Sequence, residues 1–227
     1  MASPLRIVLS GAGGRMGRAV AAAAQGDRRF RVIGGVGRGT PDGLLLKLLD
    51  EAEVLIDFSL PAAALGFAAA AAARRVAVVS GTTGLSAAQG RRLKTLARRV
   101  PVFWAPNMSP GMSVLADLAR RAAAALPGYE AAVIDIHHAA KKDAPSGSAK
   151  RLQAALAAGG MAAPALSLRV GDVAGDHTVV LAGPGERLEL VHRAHSREVF
   201  ARGALRAARW LAGRRPGLYG MSDLLAR

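Results

Sequence analysis

The segment His137-His138-Ala139-Ala140-Lys141-Lys142-Asp143-Ala144-Pro145-Ser146-Gly147-Ser148-Ala149 gathers a histidine pair, a lysine pair and a serine-glycine turn in a short span of a 227-residue chain. Lysine is scarce elsewhere: only Lys47, Lys94, Lys141, Lys142 and Lys150 occur, and arginine supplies the rest of the positive charge. Arginine stays protonated in protein sites, whereas lysine gives up its proton when its surroundings lower its pKa, and imidazole exchanges protons near neutrality. The chemistry that this set suggests is proton transfer. His137 and Lys141 are four apart, a spacing that turns both side chains the same way whether the backbone is helical or extended. We expect His137 to act as acid or base and the Lys141 ammonium to protonate or stabilise a developing anion. Pro145-Ser146-Gly147-Ser148 then leads into a helical pattern, with cap hydroxyls and backbone N–H groups suited to a carboxylate. A structural role is the alternative for an isolated histidine. A zinc site competes poorly, since cysteine is absent and no third ligand is evident beside the two histidines; no metal is expected.

A second constellation lies at the start of the chain, where an apolar run enters Gly11-Ala12-Gly13-Gly14-Arg15-Met16-Gly17 and then a helical pattern. Glycines in such a turn let the backbone approach a pyrophosphate, whose charge is met by N–H groups at the helix start. The frame is G-x-x-G-x-x-G on Gly11, Gly14 and Gly17, because Met16 breaks the commoner spacing. At the end of the second strand an acid would hold the ribose hydroxyls of NAD, but the residues there are Val36-Gly37-Arg38. Arg38, alone or with Arg15 beside the turn, reads either as a partner for the extra phosphate of NADP or as one more surface arginine in an arginine-rich chain. Two more loops follow apolar runs, Gly81-Thr82-Thr83-Gly84 and Ala105-Pro106-Asn107-Met108-Ser109. Each reads either as a helix cap or as part of a cofactor cleft at the carboxyl edge of a parallel sheet.

These residues need a scaffold, and hydrophobic periodicity outlines one. Strand-like runs at 5–10, 30–36, 54–58, 76–79 and 102–105 alternate with helical patterns at 15–24, 43–49, 62–74, 87–98 and 112–125, as in βαβ units. The run 62–73 is too short to span a bilayer and reads as a buried helix. After residue 130 the pattern changes to a strand at 131–137, a helix at 149–158, strands at 166–170, 178–181 and 187–192, and a last helix at 199–212, followed by turn-rich sequence. The fold class expected is α/β, a Rossmann-type doubly wound parallel sheet with a second α+β domain. With 51% hydrophobic residues the chain should be globular, and the start of the sequence lacks the apolar stretch of a signal peptide, so a cytoplasmic setting is expected. The formal net charge of +15 favours an anionic partner. Paired arginines on exposed helix faces and only 4% aromatics argue against nucleic acid.

The motifs GAGGRMG, IDFS, GTTG, APNMSPGM, DIHHAAKKDAPSGSA, GDVAGDHTV and WL followed by GLYGM occur in an order that resembles the dihydrodipicolinate (4-hydroxy-tetrahydrodipicolinate) reductase family of lysine and diaminopimelate biosynthesis, over nearly the whole chain. The resemblance implies a dinucleotide-binding domain at 1–108 and 199–227, a substrate-binding and oligomerisation domain at 109–198, a homotetramer, NADPH or NADH as cofactor, and a small cyclic dicarboxylate as substrate. It implies His137 as acid/base, Lys141 as proton donor, and His138, Gly147 and Ser148 as substrate contacts beside Ser146. It also implies cofactor loops at Gly11, Ala12, Gly13, Gly14, Arg15 and Met16, at Gly81, Thr82 and Thr83, and at Ala105, Pro106, Asn107 and Met108. Two features depart from the family's pattern: Ser148 stands where threonine is commoner, and the stretch between Ser148 and Arg169 is short and lacks a glycine-rich, arginine-containing loop. The alternatives are another small NAD(P)-dependent dehydrogenase, such as an aspartate dehydrogenase, which the DAPSG turn disfavours, and a non-catalytic dinucleotide sensor, which His137 and Lys141 disfavour.

Overall fold

A computed structural model describes residues 3–226 and resolves two compact units, one formed by the chain up to Met108 together with Phe200 onward, the other by Ser109–Val199. The first unit follows the alternation in the sequence. Its elements are β1 (Leu5–Ser10), α1 (Arg15–Gln25), β2 (Phe30–Val36), α2 (Asp42–Glu51), β3 (Val54–Asp57), α3 (Pro61–Ala73), β4 (Ala77–Ser80), α4 (Ala87–Leu96) and β5 (Pro101–Trp104). Together with β10 (Gly217–Tyr219), from later in the chain, the strands form a wholly parallel sheet in the order β10-β5-β4-β3-β1-β2. β3 and β4 are buried at every residue, as expected where helices cover both faces. The chain runs from β1 to β2 on one side and to β3 on the other, so the connection reverses at β1, and the glycine turn leaves β1 at that switch point.

Two expectations change. The turn-rich end of the chain holds β10 (Gly217–Tyr219), which pairs with β5, and α8 (Met221–Leu225). Three residues are too few to show a period, so the strand was illegible. α3 is not buried all round: Ala64, Ala68, Ala71 and Ala72 form one inward face with Leu65 and Phe67 half-buried beside it, while exposed Ala62, Ala63 and Ala73 cost little in water.

The second unit contains α5 (Pro110–Ala125), β6 (Glu130–His137), α6 (Gly147–Ala158), β7 (Ala165–Arg169), β8 (Asp176–Gly183) and β9 (Glu186–Arg193), with the sheet order β7-β6-β8-β9. β6 is parallel to β7 and antiparallel to β8, and β8 is antiparallel to β9. Residues of β6 and β8 alternate between buried and half-buried, the signature of a sheet with one face on a core. Ala131, Val133, Val179 and Leu181 pack against Met112, Leu115, Leu152 and Leu156 of α5 and α6. α7 (Glu198–Leu211) begins at the unit boundary and contributes Ala201, Ala204, Ala208 and Leu211 to the first unit's core.

Candidate active site

The inner face of the second unit's sheet turns polar toward the end of β6. Strand register sets Ser167, Asp135, His177 and His192 side by side across β7, β6, β8 and β9, and the next inward residue of β6 is His137, opposite Arg169. Asp135, His137 and His177 are all buried, Asp135 completely. Asp135 Oδ2 accepts hydrogen bonds from the Ser146 N–H at 3.0 Å, the Ser167 hydroxyl at 3.1 Å and Arg169 Nη2 at 3.1 Å. Asp135 Oδ1 lies 2.8 Å from His137 Nδ1 and 3.5 Å from His177 Nε2. Neither approach has hydrogen-bond alignment, so both are electrostatic contacts. The two imidazoles meet edge to face with centroids 5.2 Å apart. At the far end of the row, His192 Nε2 is 3.1 Å from Ser109 Oγ, which also accepts from the Met112 N–H to cap α5.

Burial alone would raise the Asp135 pKa, but its hydrogen bonds with Ser146 and Arg169 and the neighbouring His137 hold it at about 2. Burial pushes His177 down to about 4, helped by His137 and opposed by Asp135. His137 is lowered by burial and by Lys141 and Arg169, with Asp135 pulling the other way. At neutral pH an ionised carboxylate therefore faces two neutral imidazoles, the state in which a histidine can accept a proton.

The strand ends at His137, and the chain turns immediately, with the Lys141 N–H donating to the His138 carbonyl. The segment between His137 and Lys141 is thus neither helix nor strand, and the four-residue spacing argument does not apply to it. Lys141 is nevertheless brought back to the site, and its charge acts on both His137 and His177. Its Nζ lies 2.7 Å from Asp143 Oδ1, and the Asp143 carbonyl accepts from Arg169 Nη2 at 2.6 Å. Lys142 is exposed and His138 half-buried. Ser146 is buried; its Oγ accepts from the Ala149 N–H as the cap of α6 and its own N–H is held by Asp135. Its hydroxyl therefore braces the helix start instead of facing outward. Gly147 is exposed and Ser148 half-buried at that start.

Asp135 and His177 supply the further metal-type ligands that the sequence did not reveal: with His137 they place three ligand atoms within 4.8 Å of one another. The geometry suits protons better than a metal. Ligands bound to zinc at about 2.0–2.1 Å in a tetrahedron stand roughly 3.3 Å apart, wider than the 2.8 Å between Asp135 Oδ1 and His137 Nδ1. Arg169 also already neutralises the carboxylate.

In the first unit the sheet's carboxyl edge collects the other candidates. Gly11 has φ of 73°, and a Cβ there would meet the Phe58 carbonyl oxygen at 2.5 Å; a Cβ on Gly17 would meet the Gly11 oxygen at 2.3 Å. These two glycines are needed for the close turn. Gly13, Gly14 and Arg15 are exposed, Ala12 and Met16 half-buried, and a Cβ on Gly13 would meet nothing within 4 Å. The backbone there is open to a ligand, and α1 presents its N-terminal N–H groups just beyond, so the turn fits a pyrophosphate. The Ala12 N–H donates to the Val36 carbonyl at 3.2 Å, which sets the turn beside the end of β2, where Arg38 is exposed. Thr83 and Pro106 are exposed and Asn107 half-buried. Gly81, Thr82, Ala105 and Met108 are buried, with Met108 in the core, so any ligand contact at these four would rest on backbone groups.

Asp57, which lies in the IDFS motif, organises this edge. Fully buried, it accepts from Ser10 Oγ at 2.8 Å, the Ser59 N–H at 3.0 Å, Ser80 Oγ at 2.9 Å and Thr82 Oγ1 at 2.7 Å, tying together the ends of β1, β3 and β4. Trp104 Nε1 donates to the Thr82 carbonyl at 3.3 Å and adds β5.

Family models for the dihydrodipicolinate reductase N-terminus and C-terminus match residues 5–108 and 111–225. The chain belongs to the dihydrodipicolinate reductase family. Within it, a 4-hydroxy-tetrahydrodipicolinate reductase of Xylella fastidiosa (strain M23) is 44% identical and aligns over 99% of this chain and 100% of its own length. The enzyme of the same name from Stenotrophomonas maltophilia (strain K279a) is also 44% identical, over 98% of each chain. The fold matches that of a dipicolinate-bound dihydrodipicolinate reductase from Paenisporosarcina sp. TG-14, with a TM-score of 0.82 at 20% identity, covering 98% of this chain and 100% of that one.

Proposed function

We propose that this protein reduces 4-hydroxy-tetrahydrodipicolinate to tetrahydrodipicolinate with NAD(P)H, the first unit binding the dinucleotide and the second the cyclic dicarboxylate. Loss of water from the substrate gives dihydrodipicolinate, and the conjugated ring then takes up one hydride and one proton. Bound NAD(P)H supplies the hydride. The protein's own part is to hold the dicarboxylate and deliver the proton. The N–H groups at the start of α6, at Gly147 and Ser148, and the imidazole of His138 take the carboxylates. His137 exchanges the proton, and Lys141 offsets the negative charge that develops in the ring or supplies the proton itself.

The observation that carries this reading is the seating of a neutral His137 against ionised Asp135 with Lys141 nearby, in a chain that shares 44% identity along its full length with named reductases. The direct experiment follows the loss of NADPH absorbance with the cyclic substrate freshly generated in the assay. Turnover supports the reading; absence of turnover, with NADPH bound, refutes it and favours a dinucleotide sensor.

Arg38 at the end of β2, in place of an acid, points to NADPH serving at least as well as NADH. The outer face of the second unit's sheet supports a homotetramer. Leu166 and Leu168 pair across β7 and β6 with Ile134 and Ile136, and Val191 lies on the same face of β9. Leu166 and Leu168 are more than half exposed in the single chain, an apolar stripe that other copies would cover.

A further inference from the structure

We propose that Asp135 is a positioning residue that holds His137 in the Nδ1–H tautomer, leaving Nε2 as the atom that exchanges the proton. The inference rests on the reading of His137 as acid/base and adds the residue that sets its tautomer.

Residues two apart on β6 share a face, so Asp135 and His137 point inward together. Three donors fix Asp135 Oδ2, namely the Ser146 N–H, the Ser167 hydroxyl and Arg169, and the carboxylate cannot swing away. Oδ1 is thereby held 2.8 Å from His137 Nδ1. A neutral imidazole with its proton on Nε2 would press the Nδ1 lone pair against this anion in a site where low polarity magnifies the repulsion. With the proton on Nδ1 the same contact is attractive. His177 meets the same oxygen through Nε2 at 3.5 Å, so the carboxylate favours a proton on that nitrogen too. His137 Nε2 is on the ring's other side, next to Gly175, where a Cβ would stand only 3.0 Å away. Glycine at 175 leaves that nitrogen clear of a side chain.

The carboxylate also stabilises the imidazolium formed when Nε2 takes a proton, without itself being protonated, in the manner of an acid–histidine pair in a catalytic triad. The charged and titratable groups around His137 are Asp135 on its own strand, Arg169 on β7, His177 on β8, and Lys141 with Asp143 in the loop. Asp135 is the one among them that draws His137 toward protonation by direct contact. Its removal therefore lowers the His137 pKa, whereas loss of Arg169 or Lys141 raises it.

Two measurements test the proposal. In the intact protein above pH 7, nitrogen-15 NMR of the histidine rings, with the His137 signals assigned by their loss in His137→Gln, should show a protonated Nδ1 and an unprotonated Nε2. The opposite tautomer overturns the proposal whether or not the enzyme's substrate has been identified. In Asp135→Asn, kcat should fall by roughly 10²- to 10⁴-fold, with KM for the dicarboxylate and NADPH affinity changed only a few-fold. The limb of the kcat/KM profile that reports His137 should move to lower pH. A variant that folds and keeps its activity, or one whose limb does not move, contradicts the proposal. If Asp135→Asn does not fold, the NMR result on the unmodified protein decides. Absence of turnover in the unmodified protein would instead count against the proposed reaction and leave the tautomer result standing.

Discussion

Acidification from pH 7 to pH 5 should destabilise the second unit by about 2 kcal/mol through His177 alone. An unfolded histidine titrates near 6.5, and folded His177 near 4. At pH 5 the unfolded ring is almost fully protonated, while the folded one is protonated about one time in ten; integrating that difference in bound protons gives about 2 kcal/mol. The unfolded state binds more protons throughout this interval, so the His177 penalty is small above 6.5, grows as pH drops and levels off below 4. His137 and His192 are lowered in the same direction by their burial and steepen the fall. Asp135, held at about 2 against an ordinary 3.8, adds its own loss only below about pH 4. The assay is amide exchange of β6 and β8 residues, which reports opening free energy within this unit, compared at pH 7 and pH 5 for the unmodified protein and for His177→Gln. The variant should lose roughly 2 kcal/mol less over the interval, whatever its stability at pH 7. Equal losses in the two proteins would refute a neutral, buried His177.

Lys141→Ala should lower kcat/KM by about 10²- to 10⁴-fold with NADPH affinity little changed, while exposed Lys142→Ala stays near the unmodified protein; equal damage from both, measured by steady-state kinetics, would reverse that assignment. Lys141→Arg should remain poor if the lysine donates a proton, and recovery of most activity would reduce its role to charge. NADPH should be used at least as well as NADH, and its KM should rise roughly 10-fold in Arg38→Ala and with added salt; a strong NADH preference that salt leaves unaltered contradicts the phosphate contact. Light scattering at micromolar concentration should give a tetramer that Leu168→Glu dissociates, and a monomeric unmodified protein would remove the role given to the exposed stripe.

Alternating runs made the parallel unit legible in the sequence, because strands such as Ala77–Ser80 are buried on both faces and open on continuous apolar residues. The candidate site was only half legible. His137 and Lys141 stood out by type, yet their meeting depends on a turn after the strand and not on the spacing that suggested it. Asp135 could have been found from parity, since it occupies the same alternating set as Val133 and His137. Its partners His177 and Arg169 could not, because the register between β6, β7 and β8 is set by packing across distant segments. Met108 shows the reverse case: it sits in a motif that the resemblance ties to cofactor, while its side chain is wholly in the core.

Proton exchange at His137 during hydride-transfer reduction of the cyclic dicarboxylate is the proposed chemistry. Its most direct test is NADPH oxidation with that substrate by the unmodified protein and by His137→Gln, with cofactor binding measured separately for both. The expected result is turnover in the former, loss of about 10²- to 10⁴-fold in kcat in the latter, and equal NADPH affinity. Full activity in His137→Gln, or no turnover in an unmodified protein that binds NADPH, would contradict it.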